Sequence, residues 1–199
     1  MSGTENELAE LVVGTCGWEH AQWLEAYYPD DLPEDWRLDY YANEFGCVVL
    51  PPELWMTAGE EVIEQWLEDV GEDFMFFIEL PAGPGDVAAS LSAFMGRCVG
   101  AILHQGEPDD WQAALGDIPV LCSEDTGHLK CYRHAGQAET VLAWLAAGPG
   151  EKIELPVLRE QIEVGLKAAT ARLAFIIGNE APAMENLQNA KVVAELLGA

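Results

Sequence analysis

Alternating strand and helix patterns predict an α/β chain with a mostly parallel sheet. Two further observations agree. The chain has 199 residues, enough for one good core, and 50% of them are hydrophobic, which argues against disorder. Short apolar runs bounded by Gly, Pro and polar residues recur along it, most of them separated by stretches with helical spacing.

The elements follow in order. Leu11, Val12 and Val13 run into Gly14 as a first strand, and residues 35–45 read as a helix ended by Gly46. Residues 47–50 make a second, buried strand. Thr57 is placed to cap a helix, with Glu60 three residues on completing a capping box. Val62, Ile63, Trp66, Leu67 and Val70 make the apolar face of that helix, and Gly71 ends it. Residues 74–80 are a strongly apolar third strand. Asp86 caps a helix running through Val87, Leu91 and Phe94, and residues 99–103 are a fourth strand. A short helix carrying Trp111 and Leu115 precedes a fifth strand at 118–122.

Regularity then fails. Residues 129–133 read as a strand, yet only six residues separate them from Cys122. A parallel crossover needs roughly a dozen. The segment 123–128, with Asp125, Thr126 and Gly127, suits a tight turn. Either the flanking runs form an antiparallel hairpin or one of them is not a strand. Residues 138–145 then read as helix, Gly148-Pro149-Gly150 as a turn and 153–155 as a short strand. A helix follows over 158–171, aligning Leu158, Ile162, Leu166 and Ala169. The last strand is 173–177 and the last helix 184–197. With no internal repeat, low-complexity tract or linker, one domain over 1–199 is expected.

The formal charge is −26, from 35 acidic against 9 basic side chains, spread along the whole chain. Such a surface repels phosphate backbones, so no nucleic-acid partner is expected. It would instead attract a basic protein partner. Lysine is scarce, which fits adaptation to a salty cytoplasm where repulsion is screened. No apolar run reaches the ~18 residues of a membrane span, so no membrane partner is expected. The acidic N-terminus lacks the features of a secretory leader, and a cytoplasmic location is expected. Cys16, Cys47, Cys98, Cys122 and Cys131 are odd in number, widely spaced and mostly beside apolar runs, which predicts buried free thiols. The chain has no Gly-x-Ser-x-Gly, Gly-x-x-x-x-Gly-Lys or Gly-x-Gly-x-x-Gly pattern and no metal-binding spacing. No cofactor or metal is expected.

Residues 13–18, Val-Gly-Thr-Cys-Gly-Trp, precede Trp23, Tyr28-Pro29, Leu32-Pro33 and Tyr40-Tyr41-Ala42. This run resembles the opening of the YecE-like family (domain of unknown function 72). Near the other end, residues 175–182 followed by Asn186 and Leu187 look like that family's closing strand. The resemblance implies a TIM-type β/α barrel, here small and irregular or incomplete. It leaves activity open.

In such a barrel the site lies at the C-terminal ends of the strands. The candidate pocket residues are therefore Trp18, Glu53, Trp55, Glu79, His104, Gln105, Arg133, His134, Asn179 and Glu180. The family's polar positions are mostly replaced. Where it tends to carry an acid, an asparagine and a threonine after the second strand, this chain has Val49, Pro51 and Glu53. The family's histidine after Arg133 becomes Ala135, with His134 one residue early. The aromatic and Gly/Pro framework remains while the pocket departs, which suggests a non-catalytic binding or scaffold barrel. Two chemistries stand against that reading. Glu79, His104 and His134 could converge on a metal, and Glu53 with Glu180 could form an acid/base pair for hydrolysis of a small molecule. A DNA-processing barrel is the reading that the charge disfavours most. Trp18, Trp23, Tyr27 and Tyr28 could stack on a ligand, but plugging the barrel end is the simpler role. An open strand-end mouth with converging polar groups, as opposed to one filled by side chains, would separate binding or catalysis from a scaffold.

Overall fold

The computed structural model describes residues 8–83, 88–135, 137, 139–178 and 181–199, with 88–90 and 112 described as backbone only. Eight strands form one barrel-shaped sheet in the order β5-β4-β3-β2-β1-β8-β7-β6. The strands are β1 Glu10–Cys16, β2 Cys47–Leu50, β3 Met75–Glu79, β4 Cys98–Leu103, β5 Val120–Cys122, β6 Leu129–Tyr132, β7 Thr140–Leu145 and β8 Arg172–Ile177. All neighbours are parallel except β6, which runs antiparallel to β7. β1 lies between β2 and β8, so the two ends of the sequence meet in the middle of the sheet. The edges β5 and β6 close the ring at one point. There Cys122 and Arg133 exchange two backbone hydrogen bonds of 3.0 Å.

The helices are α1 Trp23–Ala26, α2 Arg37–Ala42, α3 Pro52–Trp55, α4 Glu60–Asp69, α5 Ala88–Ala93, α6 Asp109–Leu115, α7 Leu155–Ala168 and α8 Met184–Leu197. None is long and apolar enough to cross a membrane. Because strand side chains alternate, the barrel builds two cores. Val48, Phe76, Ala101, Val141 and Phe175 face the helices. Cys47, Val49, Phe77, Ile102, Leu142 and Ile176 fill the barrel interior.

The motif that opens the chain holds this frame. A Cβ on Gly14 would lie 2.1 Å from the Cys47 carbonyl oxygen, so only glycine fits where β1 presses on β2. The buried Thr15 N–H donates to the Tyr41 hydroxyl at 3.0 Å, and that hydroxyl donates to the Cys47 carbonyl at 2.8 Å. Tyr28 Oη donates to the Trp18 carbonyl at 2.7 Å, and Trp23 Nε1 to the Pro182 carbonyl at 3.1 Å. Trp18, Trp23 and Tyr28 are buried. Their hydrogen bonds clasp the barrel end, and the side chains serve as packing and not as exposed platforms.

Four local expectations are corrected. Residues 139–145 are not helix: Thr140–Leu145 is β7, sandwiched between β6 and β8. Its residues from Val141 on are buried on both faces, so the alternation that marks a strand is absent. Ala138, the first residue of that expected helix, lies outside the described residues. Residues 153–155 are not a strand. α7 begins at Leu155 with a proline in its first turn, and the Ile153 N–H donates to Asn186 Oδ1 at 2.9 Å. Thr57 does not cap α4. Its hydroxyl donates backwards to the Glu53 carbonyl at 2.7 Å, Gly59 stands at the N-cap, and Val62 is 46% exposed. The helix expected over 35–45 is a 3-10 turn, Glu34–Trp36, followed by the short α2. The expected cap at Asp86 and Val87 lies outside the described residues. Among the alternatives at 123–128, both flanking runs are strands and meet antiparallel.

Candidate functional site

The strand ends enclose an open cavity of about 780 Å³. One wall comes from the loop after β1, with Cys16, Trp18, Glu19 and His20. Glu53 enters from α3, Glu79 ends β3, and His104 follows β4. The opposite wall comes from the reversed strand. His128 and Lys130 sit at the start of β6, Tyr132 at its end, and Trp144 lies beside Lys130 on β7.

Glu79, His104 and Tyr132 form one hydrogen-bonded unit. His104 Nε2 lies 2.6 Å from Glu79 Oε1, and His104 Nδ1 lies 2.7 Å from the Tyr132 hydroxyl. Edge-on contacts with Tyr132 and Trp144, at 5.4 and 5.7 Å between centroids, fix the ring plane. A carboxylate only accepts, so in the neutral ring Nε2–H donates to Glu79 and Nδ1 accepts the Tyr132 proton. Each donor then has an acceptor. Burial, followed by the Glu79 and Asp125 carboxylates, pushes Tyr132 up to about 12. Burial, with Glu79 and Glu53 adding to it, pushes the Cys16 thiol far above the thiolate range. Tyr132 and Cys16 are therefore held protonated at neutral pH.

His20, half-buried, also lines the cavity. Its Nδ1 accepts the Ala181 N–H at 3.2 Å, which places the ring proton on Nε2. Burial lowers its pKa to about 4. Nε2 is itself buried, on a ring that packs edge-on against Trp23 and is held by the Gly17 backbone.

Of the residues expected at the mouth, Trp18, Glu53, Glu79 and His104 line the cavity. Trp55 does not: it is fully buried and its Nε1 donates to the Glu79 carbonyl at 3.0 Å, supporting Glu79 from behind. Gln105 is exposed and outside the lining. Arg133 lines a separate surface pocket beside α7, with Gln161 and Ala168. His134 Nδ1 lies 3.2 Å from the carbonyl of Val120, level with the first residue of β5. It does not join Glu79 and His104. Asn179 and Glu180 lie outside the described residues, so the Glu53–Glu180 pairing falls there too. Among the described residues no group of three or more His, Cys, Asp or Glu is placed to hold a metal ion. All five cysteines are free thiols. Cys47 and Cys131 are buried, the others half-buried.

Lys130, Tyr132 and Trp144 are cavity residues that strand-end reasoning missed. β6 runs backwards, so His128 and Lys130 at its start come to the mouth, Tyr132 on the same face reaches His104, and Arg133 and His134, just past its end, do not line the cavity. The short link after Cys122 already held that signal, because a strand that must turn back offers its first residues to the mouth.

Residues 12–84 match the family model described as "Protein of unknown function DUF72". The structure is similar to a crystal structure of a DUF72 family protein from Thermotoga maritima. The TM-score is 0.62 and the identity 14%, over 94% of this chain and 99% of that one. It is also similar to a DUF72 family protein from Enterococcus faecalis, with TM-score 0.63 and 12% identity, over 97% of this chain and 99% of the other. At these identities the likeness concerns the fold alone. No curated protein matches the chain in sequence.

Proposed function

We propose that this chain, whose residues 12–84 match the DUF72 family model, is a barrel of that family that binds a small polar molecule in the strand-end mouth without turning it over. The carrying observation is the open cavity of about 780 Å³, in which His104 is held between Glu79 and Tyr132. Open volume with converging polar groups supports ligand binding over a pure scaffold. Glu53 and Glu79 suit hydroxyl or amino donors on the ligand. Lys130 suits an acceptor or an anionic group. Tyr132 and Cys16, held protonated, offer neither a ready base nor a ready nucleophile, so a catalytic reading would have to rest on Glu53, Glu79 and His104.

One observation favours a second reading, hydrolysis of a small molecule. Glu79 is placed to stabilise His104 as imidazolium if Tyr132 passes its proton to Nδ1. The raised Tyr132 pKa works against that step.

Thermal-shift screening with small polyols, sugar acids and amino acids, followed by calorimetry, tests the binding reading. Saturation at 100 times Kd should stabilise the protein by about 2.7 kcal/mol. His104→Ala and Lys130→Met should each weaken the identified ligand at least ten-fold, with the fold kept by circular dichroism. Unchanged affinity in both variants would move the site elsewhere. Conversion of the bound compound by the native protein, lost in Tyr132→Phe, would favour hydrolysis.

A further inference from the structure

A second concavity of about 540 Å³ shares Trp18, Glu19 and Leu54 with the mouth wall and extends over the segments 34–38 and 61–69, which the mouth does not use. Its apolar lining residues are Leu54, Val62 and Trp66, with the buried side chains of Trp18 and Leu38 beneath them. Trp18 and Trp66 meet edge to face at 5.2 Å, which makes that part rigid. Val62 stands 46% exposed on α4, although a helix docked on this frame would ordinarily turn such a residue inward.

Five carboxylates rim this apolar strip: Glu19, Glu34, Asp35, Glu61 and Asp69. No Lys or Arg lines it among the described residues. Arg37 reaches only Glu19, at 3.4 Å. Glu19 is nevertheless raised, by burial first and by the Glu34 carboxylate second. Beyond that one ion pair, no Lys or Arg among the described residues pairs with a rim carboxylate.

We propose that this groove docks a short, cationic, amphipathic segment of a partner protein. Apolar anchors would enter between Trp66, Val62 and Leu38, and Lys or Arg side chains would meet the rim. Charge complementarity selects this occupant. A second copy of the chain, at −26, would bring further negative charge to the rim, and an acidic or neutral peptide would leave the carboxylates unpaired. The whole-molecule charge would speed encounter with any cation, so the groove itself must be tested apart from it.

The probe is a fluorescein-labelled 15-residue helical peptide with Leu along one face and Lys along the other, titrated by anisotropy in 150 mM NaCl. Micromolar binding is expected. Val62→Ser, which leaves the charge alone, should weaken it at least three-fold. The pair Glu34→Gln and Glu61→Gln should weaken it at least five-fold. The distant exposed pair Glu160→Gln and Glu195→Gln, with the same charge change, should alter it less than two-fold. A control peptide with Ser in place of Leu should bind at least ten-fold more weakly. Equal losses from the near and distant pairs, or no effect of Val62→Ser, would mean general attraction to an acidic protein and would overturn the proposal. So would absence of binding at this salt. Circular dichroism of each variant excludes unfolding as a cause of lost affinity.

Discussion

Two stretches of the barrel are built differently. From β1 to β4 each strand leads into a helix before the next strand begins. From β5 to β7 three strands follow one another with no helix between them among the described residues, and the middle one runs backwards. The first stretch is held by side-chain clasps in the interior, with Gly14 against Cys47 and Tyr41 binding both Thr15 and the Cys47 carbonyl. The second is held at its seam by one backbone pair, Cys122 with Arg133, by His134 against the Val120 carbonyl and Tyr132 against His104, and by exposed Asp125, whose Oδ2 accepts the Cys131 N–H at 2.9 Å. Regular β/α units concentrate stability, while the reversed strand contributes pocket residues on a lightly fastened edge.

Substitutions should break the two regions unequally. Gly14→Ala drives a methyl group into the backbone of β2, and should cost about 3 kcal/mol. That corresponds to roughly 6–12 °C in Tm for a chain of this size. A Tm within 2 °C of the native value would mean that β1 and β2 separate easily. Tyr41→Phe leaves the Thr15 N–H and the Cys47 carbonyl without their buried hydroxyl partner, and should cost about 2 kcal/mol in urea unfolding. Loss of less than about 0.5 kcal/mol would show that water replaces it.

His20 sharpens the contrast through pH. Its folded pKa of about 4 lies below its ordinary value of 6.5. The unfolded chain therefore binds the extra proton between those values, and this group's contribution to stability falls as pH drops from 6.5 towards 4. His20→Gln should be less stable than the native protein at pH 7.5, and the gap in Tm should close by pH 5. A gap that does not change with pH would remove the buried neutral ring from the account. Across the seam, Asp125→Ala should cost only about 1 kcal/mol. Its mark should be faster amide exchange at Cys131, with β1 and β2 unchanged. The smallest effect is shared. Carboxylates cover both regions, so Tm at pH 7 should rise as NaCl goes from low millimolar to molar, beyond the rise in an uncharged osmolyte. The gain should shrink at pH 4–5. A flat or falling Tm at pH 7 would mean that the acidic surface costs little, and would favour the basic partner over salt adaptation.

The same division explains what the sequence discloses. β1 to β4, β8 and α8 are legible because apolar runs alternate with helical spacing and because Gly14, Trp18, Tyr28 and Tyr41 sit at recognisable intervals. β7 is not legible, because Val141, Leu142 and Leu145 fall on a helical stripe while the real strand is buried on both sides. At the site, Glu53, Glu79 and His104 are readable from the strand-end rule. Tyr132 is not, since it reads only as a strand residue beside Arg133, and Lys130 is not, since it starts the one strand to which that rule applies in reverse. Arg133 and His134 were expected at the mouth for the same reason, and lie elsewhere.

The missing helix after β5 also shapes the field inside the mouth. Where a helix follows a strand, its first turn starts near the strand's C-terminal end and brings the partial positive charge of its free N–H groups toward the opening. β5 is followed by no helix, so the rim on that side lacks this dipole. Lys130, carried in by the backward strand, is the one Lys or Arg among the described residues lining the cavity, and it supplies a full charge there. Glu53 and Glu79 stand on other parts of the wall. A ligand with one anionic end and one donor-rich end would thus feel a torque on entry, and would settle in one orientation with the anion toward β6.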